Sequence, residues 1–580
     1  MLYKNVLNKT LISFHQCHRW KRTFSEAAHE IVKTPHRTRR DLLKLSLIGT
    51  GGLMLTSAAI TKYIHDEVGG TEGLKRTIAF YSLAIPKYIQ YRYHQIVDSP
   101  DHVWEELDKE TSKQGLDKIL ELRGFYIKSG QMCAANIGNA FPRVWQETMS
   151  VLQNKCPHKS MDVVRTIVQA EYGRPLEEVF SFFDPEPLGA ASIGQVHRAQ
   201  LKNGKKVVVK VQYPEVEDLF RGDVRTIKMF CSVAQPVHVP PLEEIEKQFM
   251  TEFDYSREAE QMNRIKKNLE AAGLAGKNKL SIVPAPIMDL CKKRILVMEE
   301  LDGIKLPDAL QRDFERYASS QGLSLNEFKM QEEEKLRKLR SEGGNLNGPS
   351  TTEFATYINL LNMKRKTENV SAFLHNWTIG WVPGIERKSY QGKDILPLNL
   401  SKLVDDLIMI HGHEVLVDGY FQGDPHPGNV IICHSSKRND MQLGLIDYGQ
   451  VKEITKDERL LMCKIIIALA DDDKDKIVRL MKEAGYRSKG MNPEMIYKYA
   501  KVSYDEDNDE LTEGKHIQMF LEDLQALDPI DNIPQQFIMV GRTSVMLRGV
   551  AHALRQSRSV AKAWRPIAEK VLKEEGLINS

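Results

Sequence analysis

The chain has 580 residues, 42% hydrophobic and 27% charged, enough for two or three domains or one large domain with appendages. Its 81 lysines and arginines against 78 acids leave a formal charge of only +3, so nothing global points to nucleic acid as a partner. The seven cysteines (Cys17, Cys133, Cys156, Cys231, Cys291, Cys433 and Cys463) are scattered without a C-x-x-C pair, which suits free thiols rather than a disulfide scaffold or a zinc module.

Up to Arg40, nine lysines and arginines face two acids, Glu26 and Glu30, with serine and threonine interspersed, the composition of a mitochondrial targeting segment over 1–40. Residues 45–64, "LSLIGTGGLMLTSAAITKYI", begin with seventeen uncharged positions, at the short end for a membrane span. A buried helix or the apolar part of a signal peptide competes with that reading, since "TRRDLLK" mimics a twin-arginine signal. The long basic leader favours a single-pass anchor in the inner mitochondrial membrane. Arg37, Arg39, Arg40 and Lys44 precede the run while Asp66 and Glu67 follow it, which places the body in the intermembrane space, with a matrix-facing body as the alternative.

From 70 to about 180 apolar residues return every three or four positions, as in "LDKILELRGFYIKSGQMCAANI", and predict a helical segment. "GQVHRAQLKNGKKVVVKVQY" then reads as two strands joined by an Asn-Gly turn, the strongest short hairpin signal. Helical periodicity resumes at "LEEIEKQFMTEFDYSREAEQMNRIKKNLEAA", and "RILVMEEL" reads as a buried strand running into a turn at Asp302 and Gly303. Residues 181–303 thus form a strand-rich segment. From 304 to 400 the pattern loses definition: "LNEFKMQEEEKLRKLR" predicts a solvated helix and "SEGGNLNGPSTT" a linker. Residues 401–580 are helical apart from one loop region.

That region is "GYFQGDPHPGNV", 419–430, whose prolines and glycines exclude a helix or central strand through Asp424 and Asn429. A surface turn is the plain reading of such a stretch. Its setting argues otherwise: a helix leads in, the strand "NVIIC" leads out, and "LGLIDYGQV" then delivers Asp447 between an apolar run and a glycine. Helix, Asp and Asn five apart, hairpin and Asp-aromatic-Gly is the order of catalytic and metal loops in protein-kinase-like enzymes. There Asp424 would orient the acceptor and take its proton, while Asn429 and Asp447 would hold Mg²⁺ against ATP phosphates through hard oxygen donors. Upstream, "LGAASIGQVHRA" puts small residues at Gly189, Ala190, Ala191 and Ser192, where backbone would approach phosphates. "VVVKVQ" places Lys210 as a strand-borne nucleotide lysine, with Glu258 as its helical partner and "VMEELDG" as a hinge. A strand lysine is more often a surface residue, so the weight rests on the order of the whole set.

These motifs identify the chain as similar to the UbiB, or AarF-domain, family of atypical kinase-like proteins. "YIKSGQ" resembles the family's K-x-G-Q, at Lys128 and Gln131, and "EFD" its E-x-D, at Glu252 and Asp254; without the family, both pairs would read as solvated helix positions. The resemblance implies an α+β, bilobal protein-kinase-like fold with a β-rich N-lobe, a helical C-lobe and an N-terminal helical extension. It implies that Lys128, Gln131, Glu252 and Asp254 regulate access to the active site, that ATP and Mg²⁺ are the cofactors, and that the chain acts in mitochondrial lipid or coenzyme Q homeostasis, with membrane lipid and lipid-biosynthesis proteins as partners. One departure is Gly189, which stands where the family often has alanine, leaving the preference between ADP and ATP open; another is the length of 310–400. A nucleotide-gated scaffold and a small-molecule phosphotransferase are the alternatives; K-x-G-Q argues against the second. The pair His411 and His413, two apart on a helix, face away from each other and carry no metal reading.

Overall fold

The computed structural model describes residues 70–578, apart from 98, 135–141, 154–157, 191–192, 235–238, 343–346, 379–385, 391–396, 435–440, 509 and 514–516. The chain is mixed α and β and divides into two units. One takes the chain up to His158 with Gly189–Gln195 and Gln212–Met250; the other comprises Lys159–Leu188, Val196–Val211 and Thr251–Ser580.

The first unit is helical, built from Gly70–Ile96, Asp101–Leu122, Phe125–Ala134, Arg143–Met149, Val216–Ala234 and Val239–Met250. Arg76 and Asp223 form a buried ion pair, with Arg76 Nε donating to Asp223 Oδ1 at 2.9 Å. The helix Phe125–Ala134 carries Lys128 and Gln131, and its Gly130 has a packing reason to lack a side chain. A Cβ there would stand 2.3 Å from Leu152 Cδ1 and 3.3 Å from Ile119 Cδ1. The motif's glycine therefore lets this helix seat against the cluster of Met149 and Leu152.

The second unit carries an antiparallel sheet whose strands run in the order β1 (Phe180–Phe183), β3 (Gly194–Leu201), β4 (Lys206–Gln212), β6 (Ile295–Glu299); the two-residue β2 (Gly189–Ala190) falls in the first unit. The turn between β3 and β4 is the expected Asn-Gly: Gly204 takes φ +83°, and the Asn203 side chain accepts the Lys205 N–H at 3.0 Å. Val207, Val209 and Val211 pack with Ile295, Val297 and the helix Met161–Tyr172 into a closed core. Beyond it, β5 (Ser281–Ile282), β10 (Met441–Leu445), β9 (Val430–His434) and β7 (Gly303–Lys305) form a second sheet, and β8 (Tyr420–Gln422) pairs with β11 (Val451–Glu453). Helices make up most of the remainder. Leu400–His413 and Lys456–Ala470 both lie against Val560–Glu574, where Trp564 Nε1 donates to the Ile408 carbonyl at 2.7 Å.

Two expectations are corrected here. No helix among the described residues is long and apolar enough to cross a membrane, which overturns the single-pass placement in the inner mitochondrial membrane and the orientation drawn from it. The run assigned as the anchor, 45–64, lies outside the described residues; it is short, and its glycines 49, 51 and 52 weaken a helix. The stretch 304–400 is also more regular than its pattern suggested. Besides Leu325–Ser341, where Glu334 and Lys338 pair at 3.4 Å, it contains a 28-residue helix, Thr351–Thr378.

Candidate active site

The second unit assembles a charged centre from a strand, a helix and two loops. In β4, alternation sends Val209 and Val211 into the buried face and Lys210 to the other, opposite Leu296 of β6. The helix Tyr255–Ala271 presents Glu258, which is 2% exposed, and both its oxygens accept from Lys210 Nζ at 3.0 Å. Asp447 Oδ2 lies 3.6 Å from the same ammonium, and the Tyr255 ring centroid 4.8 Å from it. Burial alone would depress the Lys210 pKa, but the Asp447 and Glu258 carboxylates outweigh it and hold it well above the usual lysine value. Burial pushes the Glu258 carboxyl up to about 7, against the pull of Lys210.

Asp447 follows β10 in an unusual backbone state, φ +67°, the left-handed region that aspartate tolerates better than most residues. Its Oδ1 accepts the Gly449 N–H at 3.3 Å, and its side chain is 45% exposed. Tyr448 is fully buried, and its N–H reaches Glu258 Oε1 at 3.4 Å. The loop with Asp424 and Asn429 is tied to this segment by the Ile446 N–H donating to the Asn429 carbonyl at 3.0 Å. Within the loop His426 caps the short turn Pro427–Asn429, and Asn429 Nδ2 donates to the Asp424 carbonyl at 3.2 Å. That bond uses the amide nitrogen and leaves the amide oxygen without a hydrogen bond to a described residue. The Asp424 carboxylate is half-buried and makes no hydrogen bond to a described residue.

A residue that the sequence reading missed fixes the two loops to each other. Gln422, 3% exposed at the end of β8, donates its side-chain amide to the carbonyls of Ile446, at 3.2 Å, and Asp447. Its own N–H donates to Glu414 Oε2 at 3.1 Å. Only the tertiary pairing of β8 with β11, which sets Gln422 against Val451, reveals this. Of the E-x-D pair, Glu252 meets the segment after Asp447: its Oε1 accepts from Gln450 Nε2 at 2.6 Å. Asp254 instead caps the helix that carries Glu258, accepting the N–H groups of Ser256 at 3.0 Å and Arg257 at 3.2 Å. An aspartate opening a helical pattern is a legible cap signal. Gly189 and Ala190 form β2, Ala191 and Ser192 lie outside the described residues, and Lys128 and Gln131 sit on a helix of the first unit. His411 is buried, with Nδ1 at 2.9 Å from the Leu407 carbonyl.

The Asp447 carboxylate beside Lys210 and the Asn429 amide oxygen are hard oxygens. That donor set fits Mg²⁺. Lys210, held by Glu258, keeps its positive charge.

A family model described as the ABC1 atypical kinase-like domain matches residues 151–334 and 375–481. The chain is 23% identical to AarF domain-containing protein kinase 1 of Xenopus laevis, over 79% of this chain and 74% of that one. It is 22% identical to a probable protein kinase UbiB of Sodalis glossinidius, over 79% and 70%. An uncharacterized protein of the bacterium Synechocystis is 24% identical, over 80% and 65%, so membership does not carry a mitochondrial address with it. The family match spans the strand bearing Lys210, the helix bearing Glu258 and the loops bearing Asp424, Asn429 and Asp447, and the chain belongs to the ABC1, or AarF-domain, family of atypical kinase-like proteins.

Proposed function

We propose that this chain is an atypical kinase or ATPase that binds MgATP at the Lys210 centre and acts in lipid or coenzyme Q homeostasis, with membrane lipid and lipid-biosynthesis proteins as its partners. The observation that carries the catalytic part is the convergence of Glu258 and Asp447 on the Lys210 ammonium, at 3.0 and 3.6 Å. The lipid part rests on the family resemblance.

In this reading Lys210 binds phosphate oxygens, and Glu258 keeps it aimed and charged. Asn429 and Asp447 would hold the cation, which when bound neutralises charge on the phosphates. Asp424 orients the acceptor hydroxyl or water and takes its proton, and Gln422 keeps Asp424 and Asp447 in register. Glu252, and with it Lys128, Gln131 and Asp254, would regulate access to this centre. The full chain should hydrolyse ATP in a Mg²⁺-dependent way, and Asp447→Asn should weaken Mg²⁺-dependent nucleotide binding strongly, because charge neutralisation dominates that affinity. Thermal stabilisation by MgATP that is unchanged in the variant would overturn the assignment.

A further inference from the structure

Outside this centre, the end of the helix Gln535–Ala553 brings three polar side chains together. Its last turn holds His552, and Arg555 just beyond takes φ +57°, the left-handed state that closes a helix. The Arg555 N–H donates to the His552 carbonyl at 2.9 Å and the Gln556 N–H to the Ala551 carbonyl at 2.7 Å, so the chain doubles back over the helix end. This returns Ser557 to His552, with Oγ 3.2 Å from Nδ1. On the other side of the ring, Nε2 lies 3.1 Å from Asp507 Oδ1. Asp507 is held in turn by the buried Arg548, whose Nη1 is 3.3 Å from the same oxygen. The family match ends at residue 481, so these residues lie outside the shared kinase-like domain.

A carboxylate can only accept, so Asp507 places the imidazole proton on Nε2 and leaves Nδ1 as the acceptor for the Ser557 hydroxyl. Burial would raise the Asp507 carboxyl, but the bond to His552 and the Arg548 charge outweigh it and hold it below the usual carboxylate value, so it stays ionised at neutral pH. Nucleophile, base and orienting carboxylate in hydrogen-bond contact are the signature of an activated serine, whatever fold carries it. Ser557 and His552 are both exposed, so a substrate can reach them. The N–H of Arg558, the next residue, makes no hydrogen bond to a described residue, which leaves it for the oxyanion of an attacked carbonyl. A cavity of about 910 Å³ has Gln556 and Gly348 in its wall. Gln556 precedes Ser557, and Gly348 follows Asn347, whose side chain accepts the Ser557 N–H at 3.0 Å. Phe314, Tyr317, Phe354 and Tyr357 line this cavity, and its charges are paired, Arg316 with Asp313 and Arg555 with Glu332, so it suits an uncharged apolar group. We infer that Ser557, His552 and Asp507 form a second active site, which cleaves esters of apolar carboxylic acids by acyl transfer to the serine. Ser557 Oγ bonds to the ester carbonyl carbon while its proton passes to His552 Nδ1. The bond from that carbon to the alcohol oxygen breaks, and His552 returns the proton to the departing alkoxide. Water, deprotonated by the same nitrogen, then releases the carboxylic acid and restores the hydroxyl.

The full chain is to be treated with a fluorophosphonate, from which an activated serine displaces fluoride at phosphorus, and the labelled residue located by mass spectrometry. The label should fall on Ser557. The chain should also hydrolyse p-nitrophenyl octanoate over many turnovers, with a lower KM than for the acetate ester because the longer acyl chain fills the cavity. Ser557→Ala should abolish the hydrolysis. His552→Gln keeps a side chain that can hydrogen-bond but cannot take the proton, and should slow both labelling and hydrolysis by about 10² to 10⁴. Both side chains are solvent-facing, so the melting temperature should stay that of the unmodified chain. No label on Ser557, labelling at an unchanged rate in His552→Gln, or hydrolysis that survives Ser557→Ala would overturn the inference. Equal KM for the two esters would overturn the assignment of the cavity as the acyl site. These readouts need no nucleotide, so they stand or fall separately from the proposed ATP chemistry.

Discussion

Two aspartates in the second unit have nearly the same local chemistry and opposite settings. Asp447 and Asp472 both take a positive φ, +67° and +56°, and both place a carboxylate beside a largely buried lysine, Lys210 at 3.6 Å and Lys501 at 3.1 Å. Both side chains are about half exposed. Around Asp472 every neighbour is already paired: its Oδ1 accepts from Tyr497 Oη at 2.7 Å, and Lys501 also bonds Asp505 and Glu506 at 3.1 and 3.0 Å. Asp505 in turn accepts the Ala561 N–H at 3.1 Å, so this cluster stitches the start of the last helix to the rest of the unit. Around Asp447 the arrangement is looser: its Oδ2 lies 3.6 Å from Lys210 Nζ, and among the described residues neither the Asn429 amide oxygen nor the Asp424 carboxylate has a hydrogen-bond partner. Buried charge by itself therefore says little about function, whereas acceptors left open beside it say a great deal.

The largest effect expected from this contrast is at Asp424. Removing a positioned general base costs about 10² to 10⁴ in rate, and Asp424→Asn makes almost no change in volume and breaks no side-chain hydrogen bond to a described residue. The variant should bind MgATP as the unmodified chain does and fail to turn it over. Turnover at the normal rate would mean that the open acceptors serve binding only, and would favour the nucleotide-gated scaffold.

How much of this was legible follows from the distance over which each signal acts. Lys210 and its flanking valines could be read from alternation, and the Asn203-Gly204 turn from two residues, because both are local. Glu258 was legible only through the order of the motifs, since a helical glutamate has no signature of its own. Gln422 was not legible: its partners, the carbonyls of Ile446 and Asp447, lie more than twenty positions away and are brought together by the pairing of β8 with β11. The helix Thr351–Thr378 escaped for a different reason. Apolar residues occur around its whole circumference, so no single stripe stood out against a covered face.

A second test lies beneath the open centre. Glu414 is 1% exposed; its Oε2 accepts the Gln422 N–H and its Oε1 has no hydrogen-bond partner among the described residues. Burial pushes its pKa up to about 8, with the Gln422 N–H pulling down and Asp418 adding to the rise. A carboxyl raised on folding keeps a proton that the unfolded chain releases, so it lowers stability progressively as pH rises from about 4.5 to about 8. Glu258, raised to about 7, acts with the same sign, so the difference between variant and parent is the informative quantity. Glu414→Gln keeps the acceptor for Gln422 and cannot ionise. Its unfolding free energy should match the parent near pH 5 and exceed it by on the order of a few kcal/mol near pH 8.5. A constant difference across that range would show that Glu414 does not titrate in the folded protein.

The smallest effect is expected at Asp472, the mirror of Asp447. Asp472 follows the helix Lys456–Ala470, where its N–H bonds the Leu469 carbonyl at 3.1 Å and its positive φ ends the helix. Asparagine is as much at home there as aspartate, and its side-chain oxygen can still accept the Tyr497 hydroxyl. What Asp472→Asn removes is one ion pair to a lysine that retains Asp505 and Glu506. The Tyr497 hydroxyl, and then Lys501, hold the Asp472 pKa below the usual carboxylate value, so its contribution exists above that value and vanishes as pH falls through the lowered one. At neutral pH the loss should be about 0–1 kcal/mol, as for other pairs with one side chain largely in solvent, and ATP turnover should not change. A loss well beyond that, or any loss of turnover, would show that the two lysine clusters are coupled and that the closed one is part of the working centre.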